Sequence, residues 1–375
     1  MKQQLIESFF EGLKDVSNKE KITSMILDGN KTIKFGIDPT GSELHVGHLL
    51  LLKKLELLRQ LGNNIYIVLG DYTATIGDPS GRDTTRPNIT TDTINSNCDK
   101  LVSFLYKYSP IIYRNSNWFS KMSPLDFITL ASQVNVNQML KRPDFKNRHE
   151  QGISIQLHEF MYPLLQGYDS VYLDSDIEIG GSDQLFNIQM GSKLNANKTQ
   201  EYVTFNILEG IDNTSRKMSK SFDNHISLSL TPKEIYQKIL NMPDTKISNF
   251  FWLTPTIELE TDNKKAKQLI AFELITFIYD SGISLAFQQE LLQTKTVLSF
   301  DHATEHLIPK TENNSLFEIF EKIKLVTGLK VGQMVKQKQV KINGVVVDSF
   351  QFKIDTNDTY EIQVGKKSFH KIKFI

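Results

Sequence analysis

A short apolar segment that leads into a glycine- and histidine-rich stretch constrains this chain more than any other feature. Residues Thr32–Ile37 have the pattern of a β-strand. Beyond Asp38–His48, leucines recur at helical spacing until Gly62 and two asparagines end the pattern. We therefore predict a strand, a loop and a helix in succession, with capping groups offered by Thr40 and Ser42.

Two histidines lie in the predicted first turn of that helix. His45 and His48 are three residues apart and so share one face, while Gly47 between them lets a ligand approach the backbone. A helix N-terminus attracts anions, because its free N–H groups and its dipole point outward. The arrangement indicates contacts to phosphate, although a helix start with two surface histidines explains it equally well.

Strand and helix patterns alternate along much of the chain. Further strands are predicted at 65–69, 111–113 and 176–179. This alternation favours a parallel sheet covered on both faces, whose ligands bind beyond the carboxyl ends of the strands. The segments that look suited to chemistry all follow strands, namely 38–48, 70–81 and 180–184. We therefore expect them to form one site.

Composition limits the possible partners. Lys and Arg together number 43, as do Asp and Glu, so a nucleic-acid partner needs a local basic patch. The only cysteine, Cys98, excludes an internal disulfide or a multi-cysteine zinc site and fits a cytoplasmic location. No apolar run is long enough for a membrane span and no signal-peptide core begins the chain. We expect a cytoplasmic protein without a membrane partner.

The length of 375 residues allows two or three domains, and the patterns suggest where they divide. Residues 1–225 should form the α/β domain, with a helical, charged insertion around 115–150 that could serve a subunit interface. Sheet signals fade over 226–305, which should be a helical domain, and 306–314 resembles a linker. Residues 315–375 complete the chain; from 311 onward there are 11 Lys, no Arg and 7 acidic residues, a net +4. That charge favours RNA binding over a merely solvated lysine-rich face.

Polar side chains in three other segments could form a small-molecule site. Tyr162, Gln166 and Asp169 share one helical face, and their groups suit an amino group and a hydroxyl. The loop around Asp78 could hold an ammonium group, and 180–184 could contact a ribose or an amino acid. Each segment also has a purely structural interpretation. The helical row could be an exposed helix face, the loop around Asp78 an Asp-Pro-Ser-Gly turn, and 180–184 a glycine-rich turn.

A lysine-rich segment supplies the last candidate. In Lys217-Met-Ser-Lys-Ser221, two lysines and two hydroxyls within five residues could form a mobile anion clamp. A charged surface loop is the alternative. The motif is specific mainly in combination with the upstream histidine pair.

Taken in order, these motifs resemble the class I aminoacyl-tRNA synthetases. The resemblance rests on His45-Val-Gly-His48, Gly180-Gly-Ser-Asp-Gln184 and Lys217-Met-Ser-Lys-Ser221. Asp38-Pro-Thr, Gly77-Asp-Pro-Ser-Gly81 and the Tyr162, Gln166, Asp169 row narrow it to the bacterial tyrosyl-tRNA synthetase family. In addition, Val340-Lys-Ile-Asn-Gly344 resembles the S4 RNA-binding module of that family.

The resemblance implies a fold and an activity. The fold is an α/β Rossmann-like parallel-sheet catalytic domain, a small α-helical tRNA-binding domain and a C-terminal α+β S4-like domain. The activity is tyrosine–tRNA ligation, in which L-tyrosine and ATP give tyrosyl-adenylate and the tyrosyl group passes to tRNA(Tyr). ATP with Mg²⁺ is a substrate, no prosthetic group or resident metal is implied, and the family is homodimeric.

The resemblance also implies roles for individual residues. The catalytic residues are His45, His48, Lys217 and Lys220. ATP-binding residues are Gly36, Asp38, Thr40, Gly47, Gly181, Asp183 and again Lys220. Tyrosine-binding residues are Asp78, Tyr162, Gln166, Asp169 and Gln184, with Asp169 receiving the phenol. The residues expected to contact RNA in the C-terminal module are Lys330, Lys336, Lys338 and Lys341.

Two departures from the family pattern and several alternatives stand beside this interpretation. Lys34 occupies the place of a tyrosine that helps to bind the phenol in the best-known members, and Gly332-Gln333 occupies that of paired arginines in the S4 module. A second bacterial branch of the family has a basic residue at the first position and a complete Lys-Met-Ser-Lys-Ser loop, and the chain resembles that branch. The alternatives are an inactive, RNA-binding relative, an adenylyl-forming ligase with another substrate, and a synthetase for another amino acid such as tryptophan.

Overall fold

The computed structural model describes residues 2–80, 89–109, 111–195, 198–297, 303–310, 315–323, 328–349, 353–354, 359–365 and 368–375. The chain divides into two compact units, Met1–Ile278 and Tyr279–Ile375. Gly81 and residues 311–314 of the predicted linker lie outside the described residues.

A largely parallel sheet forms the centre of the first unit. Its strands are β1 (Leu13–Val16), β2 (Thr32–Ile37), β3 (Asn64–Leu69), β4 (Ile112–Arg114), β5 (Ile177–Gly181) and β6 (Glu201–Phe205). They lie in the order β1-β6-β5-β2-β3-β4, and β1 alone of these runs antiparallel to its neighbour. The predicted Rossmann-like sheet is therefore confirmed. Strands β1 and β6 were not predicted from the sequence.

The winding of this sheet creates a crevice beside β2. The chain passes from β2 to β3 and β4 on one side, then returns to build β5 and β6 on the other. Residues 33–35 of β2 are all buried, as expected for a central strand covered on both faces. Ligands of open α/β sheets bind where the winding reverses, here between the carboxyl ends of β2 and β5.

Helices cover the sheet and extend the first unit beyond it. They are α1 (Lys2–Phe10), α2 (Lys19–Asp28), α3 (Val46–Gln60), α4 (Thr91–Leu105), α5 (Ser116–Phe119), α6 (Pro124–Ser132), α7 (Val136–Met139), α8 (Pro143–Glu150), α9 (Met161–Tyr172), α10 (Leu185–Leu194), α11 (Pro232–Asn241), α12 (Pro255–Leu259) and α13 (Asn263–Ile278). The segment 115–150 is helical, as the sequence predicts. Within residues 226–305, which the sequence predicts to be a helical domain, α13 ends the first unit and α14 (Ser281–Val297) belongs to the second unit.

The second unit contains a small mixed sheet with helices. Its elements are β7 (Thr304–Ile308), α15 (Leu316–Lys322), α16 (Gly328–Lys336), β8 (Val340–Ile342), β9 (Val345–Val346), β10 (Thr359–Val364) and β11 (Ser368–Phe374). The strand order is β7-β11-β10-β8-β9, and Phe320, Val340 and Ile372 belong to its buried core. Residues 306–308, expected to begin a linker, instead pair in β7 with β11. Among the described residues, no helix is long and apolar enough to cross a membrane.

Candidate active site

A cavity of about 510 Å³ lies at the carboxyl ends of β2, β3 and β5. It brings together residues predicted from separate motifs of the sequence. The predicted catalytic, ATP-binding and tyrosine-binding residues that line it are Gly36, Asp38, Thr40, His45, Gly47, His48, Asp78, Tyr162, Gln166, Asp169, Gly181, Asp183, Gln184, Lys217 and Lys220. The expectation that the post-strand segments form one site therefore agrees with the structure.

The two histidines cap their own helix. His45 is the N-cap residue of α3, and its Nδ1 accepts a hydrogen bond from the backbone N–H of Gly47 at 3.2 Å. Nδ1 of His48 accepts from the backbone N–H of His45, also at 3.2 Å. The expected caps from Thr40 and Ser42 were wrong, because these residues precede the helix and the histidines satisfy its first N–H groups.

Burial determines the charge of the two imidazole rings, and these hydrogen bonds determine which ring nitrogen carries the proton. Burial lowers the pKa of His45 to about 2 and that of His48 to about 4, so both rings are neutral at pH 7. A neutral imidazole whose Nδ1 accepts a hydrogen bond carries its proton on Nε2. Each histidine therefore keeps one N–H donor, and both side chains contribute to the cavity wall.

The lysine-rich segment reaches the same cavity from a loop after β6. Lys217 Nζ lies 3.4 Å from Oδ2 of Asp183, and Lys220 Nζ donates to the backbone carbonyl of Glu43. Burial lowers the pKa of Lys220, while Glu43 acts in the opposite direction. Burial raises the pKa of Asp183, and Lys217 opposes that shift.

A backbone connection joins the lysine loop to the histidine motif. The N–H of Val46 donates to the carbonyl of Ile226 at 3.0 Å, and that of Leu228 donates to Leu44 at 2.9 Å. The residues that follow the loop thus pair antiparallel with the start of α3. Two motifs some 170 residues apart in the sequence are held in a fixed register.

Polar groups on α9 and nearby loops form another part of the cavity. The hydroxyl of Tyr162 donates to Oδ2 of Asp38 at 3.0 Å. Gln166 Nε2 donates to Glu178 at 3.2 Å, whereas its buried Oε1 has no hydrogen-bond partner among the described residues. An unsatisfied buried oxygen of this kind suits a ligand donor such as an ammonium group.

Asp169 is a buried acceptor held by two donors that the sequence reasoning missed. Trp118 Nε1 donates to its Oδ1 at 2.9 Å, and Asn115 Nδ2 lies 3.4 Å from its Oδ2. Burial raises the pKa of Asp169 to about 7, although Lys34, Trp118 and Asn115 act to lower it. Asn115 directly follows β4, so the rule that functional residues follow strands could have found it.

The side chain of Lys34 has a different role from the phenol-binding tyrosine expected at this position. Its fully buried Nζ lies 3.0 Å from Oε1 of Glu178 and donates to the carbonyl of Gln166 at 2.7 Å and to Ser170 at 2.8 Å. Lys34 is not among the described residues that line the cavity. The lysine therefore supports α9 from the sheet side.

The predicted RNA-binding lysines lie in the second unit. Lys336, Lys338 and Lys341 are exposed, at the end of α16, in the following turn and in β8. Lys330 lies within α16.

Comparisons with known proteins agree with these motifs. Residues 28–276 match the family model described as tRNA synthetases class I (W and Y). A tyrosine–tRNA ligase of Francisella tularensis is 36% identical over 91% of this chain and 90% of its own length. The one from Bdellovibrio bacteriovorus is 33% identical over 99% and 98%, respectively. The chain belongs to the tyrosine–tRNA ligase family of class I tRNA synthetases.

Solved structures of tyrosyl-tRNA synthetases share the fold of this ligase. A C-terminally truncated mitochondrial enzyme from Aspergillus nidulans aligns with a TM-score of 0.62 at 21% identity, covering 77% of this chain and 94% of its own. The enzyme from Archaeoglobus fulgidus, solved with L-tyrosine, aligns with a TM-score of 0.59 at 20% identity, covering 76% and 99%. The relatives of 33–36% identity, which are tyrosine–tRNA ligases, do not favour the inactive-relative and tryptophan alternatives.

Proposed function

We propose that the chain activates L-tyrosine with ATP and then transfers the tyrosyl group to the 3′ end of tRNA(Tyr). The observation that carries the proposal is that one cavity is lined together by neutral histidines, lysines and the polar row of α9. One group of residues suits phosphate, and the other suits an amino acid with a hydroxyl. Family membership supports the same reaction.

The first step needs positioning and charge stabilisation from the protein. A carboxylate oxygen of tyrosine attacks the α-phosphorus of ATP, and the bond to the bridging oxygen breaks so that pyrophosphate leaves. His45 and His48 donate Nε2–H groups toward the phosphates, and Lys217 and Lys220 neutralise the charge that develops on pyrophosphate. Such a step requires no covalent enzyme group.

The amino acid is recognised through its two polar ends. Asp169 accepts the phenolic hydroxyl, because Trp118 and Asn115 hold its carboxylate in place. The free oxygen of Gln166, together with Tyr162 and Asp78, receives the α-ammonium. Phenylalanine would leave Asp169 without its ligand partner; the tyrosine–phenylalanine discrimination of this enzyme class is a known example of such selection.

Mg²⁺ enters the proposal with ATP. In the described ranges, no group of three or more His, Cys, Asp or Glu residues could hold a metal ion. Mg²⁺ in nucleotide sites is commonly held by substrate phosphates with one or two carboxylates. We therefore assign it to the phosphates of ATP, where it would offset their negative charge.

Transfer to tRNA involves the rest of the chain. We assign tRNA binding to residues 226–305 and to the lysines of 315–375, and the reaction to the cytoplasm, where tRNA is used. The exposed positions of Lys336, Lys338 and Lys341 support electrostatic contact with a phosphate backbone.

We further propose a homodimer through the insertion 115–150. Leu125 and Ile128 are neighbours on α6, and they are 70% and 65% exposed in the single chain. Large apolar side chains grouped on one helix face mark interaction surfaces. Leu125→Asp with Ile128→Asp should convert the dimer to a monomer in sedimentation equilibrium, whereas an unchanged mass would move the interface elsewhere.

Amino-acid-dependent ATP–pyrophosphate exchange, scanned over the common amino acids, tests the proposed reaction. We expect exchange with tyrosine and none with phenylalanine or tryptophan. Exchange with a different amino acid would keep the mechanism and change the substrate. A folded, ATP-binding protein that exchanges with none of them would contradict the proposal.

A further inference from the structure

A buried arginine outside the cavity lining is connected by hydrogen bonds to two residues that line the cavity, Asp78 and Gln184. Arg142 is 3% exposed and comes from the predicted insertion, at the residue before α8. Its guanidinium donates through Nη2 to Ser80 and lies 3.4 Å from Oδ1 of Asp78. Through Nη1 it donates to Oδ1 of Asn187 at 3.0 Å.

These contacts close a ring of hydrogen bonds. Asn187 Nδ2 donates to Oε1 of Gln184 at 3.1 Å, and Gln184 Nε2 donates to Oδ2 of Asp78 at 2.7 Å. Arg142 therefore touches both ends of a chain that runs from Asn187 through Gln184 to Asp78. Asp78 and Gln184 line the cavity, and Arg142 contacts Asp78 directly and Gln184 through Asn187.

The charges of this cluster are unbalanced in a way that suits a cation. Nε of Arg142 lies 2.8 Å from Oδ1 of Asp144, so one guanidinium faces two carboxylates. Oδ2 of Asp144 is buried and has no hydrogen-bond partner among the described residues. When both carboxylates are ionised, the cluster carries one net negative charge, which an ammonium ion near Asp78 would neutralise. Burial raises the pKa of Asp144, and Arg142 opposes that shift.

We propose that Arg142 is a positioning residue for the ammonium subsite, holding Asp78 and Gln184 in the geometry that receives the α-ammonium of tyrosine. The inference rests on the proposed function and adds to it a residue outside the sequence motifs. It makes the insertion a part of the amino-acid site, because the fork of an arginine can bond several partners in fixed directions at once.

The test compares three ligands that differ at one end. L-tyrosine and tyramine carry the ammonium group, whereas 3-(4-hydroxyphenyl)propanoate keeps the phenol and carboxylate without it. We expect Arg142→Met to weaken tyrosine and tyramine by roughly tenfold or more and to leave the propanoate unchanged. Binding is measured by calorimetry on the full chain.

Arg148 offers a matched control within α8, the helix that Arg142 precedes. It is equally buried, at 2% exposed, and it pairs with Glu159 and the carbonyl of Ser154 instead of with Asp78. Arg148→Met removes a buried arginine at a similar structural cost. It should leave the ratio of tyramine to propanoate affinity at the wild-type value.

The effect of pH separates positioning from a general loss of structure. Burial raises the pKa of Asp78, but Arg142, Ser80 and Gln184 outweigh it and hold the pKa below its usual range. Asp144 and Asp183 are the nearby acids that interact with Asp78, and Lys217 pairs with Asp183. Without Arg142, Asp78 should protonate at higher pH, so tyrosine affinity should fall more steeply on acidification.

Each result decides the inference. A selective loss of the ammonium-bearing ligands in Arg142→Met, absent in Arg148→Met, supports it. An equal loss of all three ligands overturns it and leaves Arg142 a purely structural residue. Should Arg142→Met fail to fold, Arg142→Lys decides: it keeps the charge but cannot bond all partners, so unchanged tyramine affinity overturns the inference. If the wild-type chain shows no tyrosine-dependent exchange, the proposed function fails instead.

Discussion

Lys220 is a cavity-lining cation in the loop after β6. In the free chain its Nζ bonds to the carbonyl of Glu43, a contact that ATP phosphates can replace. Lys220→Ala should slow adenylate formation by about 100-fold, because the loss of one preorganised donor to a transition-state charge has that order of effect. Single-turnover kinetics measure the rate, and tyrosine affinity should be unchanged.

A second lysine provides the control for that experiment. Lys121 is exposed and is not among the residues that line the cavity. Lys121→Ala should leave the rate of adenylate formation unchanged. A wild-type rate in Lys220→Ala would remove its assigned role at the phosphates.

Asp169 should couple tyrosine binding to proton release. Its pKa is raised to about 7, so at neutral pH a substantial fraction is protonated. A phenol that donates to the carboxylate stabilises the ionised form and lowers this pKa on binding. Affinity for tyrosine should therefore rise with pH up to about 7 and level off above it, where Asp169 is already ionised.

Calorimetry in buffers of different ionisation enthalpy measures this proton release directly. The Asp169→Asn variant, which cannot ionise, should bind without it. Equal proton release in wild type and Asp169→Asn would show that another group titrates.

At the scale of elements, the start of α3 combines helix capping with the binding site. His45→Asn retains a good N-cap and removes the imidazole, whereas His45→Ala removes both. The Ala variant should lose about 1 kcal/mol more unfolding free energy than the Asn variant. Both should slow pyrophosphate exchange alike, and equal stabilities in denaturant titrations would contradict the capping role.

The elements also show how far the sequence alone could lead. Apolar patterns located β2, β3 and β5 to within a residue or two, and the post-strand motifs identified the cavity, because both depend on local sequence. Strand β1 went undetected, since its four residues include Lys14 and Asp15 and gain their structure by pairing with β6. Caps formed by histidines fall outside the usual capping residues.

Long-range contacts account for the site residues that were missed. Trp118 meets Asp169 across 51 positions of sequence, and Arg142 meets Asp78 across 64. Arg142 precedes α8 and Arg148 lies within it, but neither position indicates in the sequence which carboxylate its side chain meets. Only the packing of the insertion against the loop after β3 assigns the two arginines different partners.

At the scale of the whole molecule, the division at Ile278 defines where the chain can be shortened. A truncation that removes only residues 311–375 would keep β7 but delete its partner β11. A truncation after Ile278 removes the second unit entirely. The fragment 1–278 should retain tyrosine-dependent pyrophosphate exchange. It should charge tRNA at least roughly tenfold less efficiently, because it lacks the lysines expected to contact phosphates.

A full-length variant that lacks only lysine charges separates the electrostatic contribution to tRNA charging from the effect of deleting the whole second unit. Lys336→Ala, Lys338→Ala and Lys341→Ala together should weaken tRNA charging and reduce its salt dependence. Full charging by the fragment 1–278 would mean that the second unit is dispensable for this reaction.

The position of Arg142 has a consequence for the way such enzymes diverge. A segment whose arginine bonds to a cavity-lining residue should vary less freely than a surface loop, since a shift of its backbone would move the guanidinium. Hybrid enzymes that exchange residues 115–150 between relatives should therefore lose tyrosine affinity unless the loop around Asp78 is exchanged with them. Recombination between such genes would be tolerated when both segments come from one parent.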